Sequence, residues 1–168
     1  MNRPSLFTNI RSFVSYEFSS LQMRALRDST LSKLIGRNTK LLTVPEQARR
    51  EHPNRSLLGV KDIPVEHIVG TLDRDGDFDH KFRPLKLHLH DRWVDAYITL
   101  ERDGWPPILA HKFGEKYYVE DGHHRVSVAR SIGMAFIEAR VWEYEAPNPQ
   151  TASKSVRREK EVVFHPGT

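Results

Sequence analysis

From Tyr117 to Gly133 the chain reads as a strand, a two-residue turn and a helix in direct succession. Tyr117-Tyr118-Val119 is β-prone, Asp121-Gly122 suits a tight turn, and Val126, Val128, Ala129 and Ile132 supply a helix that Gly133 ends. Ile137 to Trp142 then returns as a strand. Upstream, Gly59 to Ile63 and Pro64 to Val69 suit a strand running into a single helical turn. Trp93, Ala96, Tyr97 and Leu100 set a helix over Arg92 to Arg102, closed by Gly104. Ile108-Leu109-Ala110 begins another strand after Pro106-Pro107, and a hairpin turn containing Gly114 follows at Lys112 to Lys116. Short strands thus interleave with two helices over this stretch.

The flanks differ in kind. Leu6, Ile10, Phe13, Val14, Phe18 and Leu21 recur at helical spacing, and Leu31, Leu34 and Ile35 form a second apolar set before Gly36. Two readings are open for this N-terminal helical extension: a helix packed on the core, or one that docks a protein partner, a membrane surface or a nucleic acid. Thr39 to Leu58 reads as a connector, with a short helix-compatible run at Glu46 to Arg50 between Pro45 and Pro53. The expected organisation is a basic helical extension and connector over 1–58, the strand-and-helix domain over 59–145, and a flexible charged tail over 146–168, within which Val162-Val163-Phe164 is apolar enough to dock.

Charge follows these divisions. Residues 1–60 hold ten Lys and Arg against four Asp and Glu, residues 61–145 hold twelve against sixteen, and the tail holds four against two. A polyanion should therefore meet the extension before the domain, which makes DNA or a protein partner of the basic N-terminal region an expectation. The chain has no cysteine, which excludes disulfides, thiolate metal sites and cysteine nucleophiles. No run of 18 apolar residues occurs, and no apolar signal segment is seen near Arg3 and Arg11, so a cytoplasmic protein without a membrane span is expected.

The strand–turn–helix junction carries the chemistry. A helix opening at His123-His124-Arg125 turns unsatisfied backbone N–H groups and a positive dipole end toward one corner, the arrangement that binds anions. Arg125 in the first turn opposes that dipole unless a negative group sits beside it. His123 and His124 add donors or a base near neutral pH, and Asp121 suits either a helix cap or a Mg2+ ligand beside a bound phosphate. An ordinary turn, with Asp121 as cap and Arg125 paired to a surface acid, is the competing reading.

At these residues, Val119 to Arg130 followed by Gly133 and the strand Ile137 to Val141, the sequence resembles the ParB N-terminal domain of the ParB/sulfiredoxin superfamily. Asp62 to Ile68 is similar to that family's opening strand, and Trp105-Pro106-Pro107-Ile108 to the approach to its middle strand. The resemblance covers about half the chain and implies an α+β fold, a small mixed sheet with packed helices, preceded by the N-terminal helical extension. It implies a nucleoside triphosphate at the corner: partition proteins bind and hydrolyse CTP, sulfiredoxins use ATP, and some relatives phosphorylate free serine. Gly122, Arg125, His123 and His124 would meet the phosphates, with His124 or Glu120 as base for water or a hydroxyl acceptor and Asp121 on Mg2+. His123-His124-Arg125 stands where partition proteins carry Glu-Arg-Arg. His123 also occupies the position of the sulfiredoxin cysteine, so cysteine-based sulfinic acid reduction is excluded. The downstream domains of a complete partition protein have no counterpart in the 168 residues. Two further readings accompany this one: a DNA-associated regulator or adaptor in which the domain is a scaffold, and a nuclease.

The segment Asp73 to Asp79 is no EF-hand, because Gly76 is fourth rather than sixth and Pro84 stands twelfth. By the same resemblance this loop would bring Asp77 or Asp79 to Mg2+, with Arg83, near the corner; a solvated acidic loop pinned by Phe78 and Phe82 is the alternative. His80, His88, His90 and His111 raise a metal-binding reading that lacks a third ligand. Trp105, Tyr117, Tyr118 and Trp142 suit either the core or a wall that stacks a base.

Overall fold

The computed structural model describes residues 6–44, 55–72 and 76–144. The connector run Glu46 to Arg50, the loop residues Asp73 to Asp75 and the charged tail lie outside the described residues. Three helices, α1 (Leu6–Leu34), α2 (His90–Asp103) and α3 (His123–Ser131), accompany six strands, β1 (Leu42–Thr43), β2 (Arg55–Pro64), β3 (Ile68–Thr71), β4 (Ile108–Phe113), β5 (Lys116–Asp121) and β6 (Phe136–Tyr144). The strands form one mixed sheet in the order β1-β3-β5-β4-β6-β2, so the fold is α+β, as the family resemblance implies. No helix among the described residues is long and apolar enough to cross a membrane.

Alternation along β6 sets the layers. Ile137, Ala139 and Val141 are buried while Phe136, Glu138 and Arg140 are exposed, so this strand gives one face to the core and the other to solvent. Against the inner face pack Val126, Val128 and Ala129 of α3, Trp93 and Val94 of α2, and Val14 and Phe18 of α1, all in one continuous cluster. The extension is therefore part of the core, with Val14, Phe18 and Ala25 falling on one helical stripe.

With no breaker before Gly36, α1 runs unbroken to Leu34, and Leu31, Leu34 and the following Ile35 are exposed at its end. The sheet includes residues upstream of Gly59, since β2 begins at Arg55 and β1 adds a two-residue edge. β1 lies so close to β3 that a Cβ at Gly70 would come within 2.1 Å of the Leu42 carbonyl oxygen.

Arg83 staples α1 to the loop before α2. Its Nη1 donates to Asp28 Oδ2 at 2.8 Å and its Nε to Asp79 Oδ2 at 2.8 Å. The hydrogen bond from Arg83 holds the Asp28 carboxyl below the usual carboxylate range, against the opposing pull of burial. A carboxyl depressed in the folded state stabilises above its unfolded pKa, about 3.9, and loses that contribution as pH falls through the folded value. Thermal melts from pH 6 to pH 2 should therefore fall more steeply below about pH 4 for the native protein than for Asp28→Asn. Parallel curves would remove this pair from the account of acid stability.

Candidate phosphate-binding corner

β5 ends at Asp121, and Gly122 makes the turn into α3 with φ 105° and ψ 19°. A left-handed residue is needed because β5 must reverse at once into a helix packed on its own sheet. Ile108 of β4 fills the space where a side chain at Gly122 would lie. The first helical bond runs from Val126 N to Gly122 O at 3.0 Å, and no side chain caps α3. The cap reading for Asp121 is thus corrected.

Asp121 instead pairs with Arg125. Arg125 Nη2 donates to Asp121 Oδ2 at 2.5 Å, and Nη1 donates to the carbonyls of Pro106 at 2.6 Å and Pro107 at 3.2 Å. The negative group that a first-turn arginine requires is supplied from four residues upstream. The guanidinium is held in place, and it clamps the segment leading into β4.

A cavity of about 340 Å3 opens at this corner, walled by the first turn of α3, by Glu120 and Asp121, and by Arg92, Asp95 and Trp105 across from them. His123 and His124 both line it but play different parts. The His123 ring is buried, with Nε2 2.7 Å from Thr71 Oγ1, and is stacked near Phe78 and Phe82 at centroid distances of 6.2 and 6.5 Å. That ring is packed into the core, which leaves the main chain of His123 as the part nearest a ligand at the helix start. His124 is half-buried, its ring edge-on to Phe78 at 5.4 Å.

Glu120 has a partner that the sequence reading missed. Its Oε2 lies 2.5 Å from Nε2 of buried His111, whose Nδ1 is 3.2 Å from the Tyr144 hydroxyl. The β4–β5 register shifts between Leu109 and Ala110, leaving Glu120 as the extra residue of a bulge, a device that re-aims a side chain. Glu120 thus faces the cavity while an oriented imidazole holds its carboxylate.

The remaining expected site residues are not brought to the corner. Asp79 is buried and engaged by Arg83 and by the backbone N–H groups of Lys81 and Arg83. Asp77 pairs with Lys86 at 2.9 Å. Arg83 lines a different cavity. These three are held by one another's neighbourhood and do not join Asp121 around a cation. Nor do the histidines gather: His90 bonds Asp91, His80 approaches the Thr39 carbonyl and His111 faces Glu120. Among the described residues no group of three His, Asp or Glu is arranged to hold a metal ion.

No protein family matches the sequence, and no curated protein does. Among solved structures, the chain is similar to sulfiredoxin from Arabidopsis thaliana, 18% identical, with 58% of this chain and 97% of that chain covered at a TM-score of 0.38. The protein is an α+β protein with a six-stranded mixed sheet, similar over part of its length to a sulfiredoxin.

Proposed function

We propose that the protein binds a nucleoside triphosphate at the opening of α3, as the Mg2+ complex, and that hydrolysis or phosphoryl transfer occurs there. The observation that carries this reading is an uncapped helix start opening on a cavity of ligand size beside a fixed guanidinium. First-turn N–H groups and Arg125 would take phosphate oxygens, with Gly122 allowing close approach of the backbone. His123 takes part through its main chain only.

The cavity wall carries Arg92 and Arg125 against Asp95, Glu120 and Asp121. A bare polyphosphate would meet net repulsion, which favours a nucleotide arriving with its own cation. Among the described residues no group of three or more His, Asp or Glu gathers to hold a metal, so in this reading the ion is carried chiefly by phosphate oxygens and water. Glu120 is the stronger candidate for proton acceptor from water or a small hydroxyl, because His111 orients it; His124 is the second.

Calorimetric titration with ATP, CTP, GTP and UTP, each with Mg2+, tests the reading. One nucleotide should bind, and Arg125→Ala should weaken it about ten- to a hundredfold, the loss of charge-assisted hydrogen bonds. Glu120→Gln should keep the binding and lose turnover. Failure of all four nucleotides to bind would sink the proposal, and salt-sensitive binding of duplex DNA in their stead would move the function to the basic helix α1.

A further inference from the structure

We infer that the protein has a second binding site, at the C-terminal end of α3, for a small organic anion: one carboxylate or phosphate group on an apolar body. A cavity of about 780 Å3 lies there, at the opposite end of α3 from the corner. Its volume is within the range of small-molecule sites. Nothing in the nucleotide reading uses it.

Arg130 is the reason to expect an anion. Its Nη2 donates to the carbonyls of Val65 at 3.2 Å and Ile68 at 2.6 Å, and the guanidinium carbon sits 5.1 Å from the centre of the Phe82 ring. The group is thereby fixed in orientation. Its Nε is buried without a hydrogen-bond acceptor, and no carboxylate of the described residues pairs with it. Burial draws its pKa below the ordinary arginine value, with Asp79 opposing, yet an arginine remains charged in a protein. A half-buried cation, fixed in place and with its buried Nε unsatisfied, at a cavity wall is a receptor for one negative group.

The surroundings define the rest of the ligand. Arg24 of α1 and Lys81 also line the cavity, with Glu66 as the opposing carboxylate, while Arg83 is already matched by Asp79 and Asp28. Leu21, Val65, Met134 and Phe136 give the same cavity apolar walls. A free inorganic ion would leave those walls wet. The carbonyl end of α3 also disfavours a highly charged ligand such as a triphosphate, so one or two negative charges suit the site.

Amide chemical shifts of the full chain, recorded while phenylacetate, phenyl phosphate or neutral benzyl alcohol is added, test the inference. Either anion should shift the amides of Arg130, Ser131, Met134 and Ala135 saturably, and benzyl alcohol should bind at least about tenfold more weakly. Arg24 and Lys81 are exposed, so the double variant Arg24→Gln, Lys81→Gln keeps the fold and should weaken the anion about tenfold. Absence of saturable shifts at those amides, equal binding of benzyl alcohol, or indifference to the double variant would overturn the inference. Shifts confined to Gly122–Arg125 would overturn it too, while leaving the nucleotide reading standing.

Discussion

Gly122→Ala should destabilise the protein by about 2–4 kcal/mol, read as a lower urea midpoint at unchanged slope. Two separate costs combine. Alanine at φ 105° is strained by about 1 kcal/mol or more. The new methyl would also meet Ile108 Cγ2 at 2.5 Å and Cβ at 2.8 Å. Ile108 is fully buried on a strand bordered on both sides, so it has nowhere to retreat, and overpacking of this kind costs about 1–3 kcal/mol. Combining Gly122→Ala with Ile108→Ala should relieve the steric part, so the double variant loses less than the two single losses added together. Strict additivity would mean that the two residues do not touch. Nucleotide binding should suffer as well, because the same turn sets the start of α3.

Trp93→Ala should cost still more, about 4–6 kcal/mol: roughly 3–5 for the cavity and ~1 for the lost hydrogen bond. The indole is fully buried, edge-on to Phe18 at 5.8 Å, and its Nε1 donates to Ser127 Oγ at 2.9 Å. One side chain thus joins α1, α2 and α3. Removing it vacates the largest fully buried side chain and leaves a serine hydroxyl unmatched between helices. Since native domains are stable by only about 5–15 kcal/mol, the variant should be partly unfolded at 37 °C by circular dichroism. Trp93→Phe, which keeps most of the packing, should fall between the two. A Trp93→Ala protein as stable as the native one would show that α1 is not docked as described.

The junction around Gly122 was legible because its signals are local: β-prone residues, Asp-Gly, helical spacing, then Gly133. The α+β class followed from the family resemblance that these residues carry. Legibility failed where distant segments decide. β1 has only two residues and no pattern, and it forms because Gly70 leaves room for the Leu42 carbonyl. Nothing near His123 in sequence announces that Phe78, Phe82 and Thr71 enclose it. The tie between Glu120 and His111 depends on a bulge, and a bulge changes facing without leaving a mark on hydrophobic alternation. By contrast, the Asp121–Arg125 pair has i,i+4 spacing and was readable, since it answers the requirement for a negative group that the helix dipole imposes.

The position of β6 bears on how the chain is made. It lies between β4 and β2, parallel to one and antiparallel to the other, although it is the last of the described strands to be synthesised. Until Tyr144 has cleared the ribosome, β2 has no neighbour at all and β4 keeps one raw edge. The nascent chain must hold these edges apart for the whole time that residues 65–135 are being translated, about 4–14 s at ordinary elongation rates. Folding should then close late and in one step, with premature release before β6 producing an aggregating fragment rather than a smaller native domain.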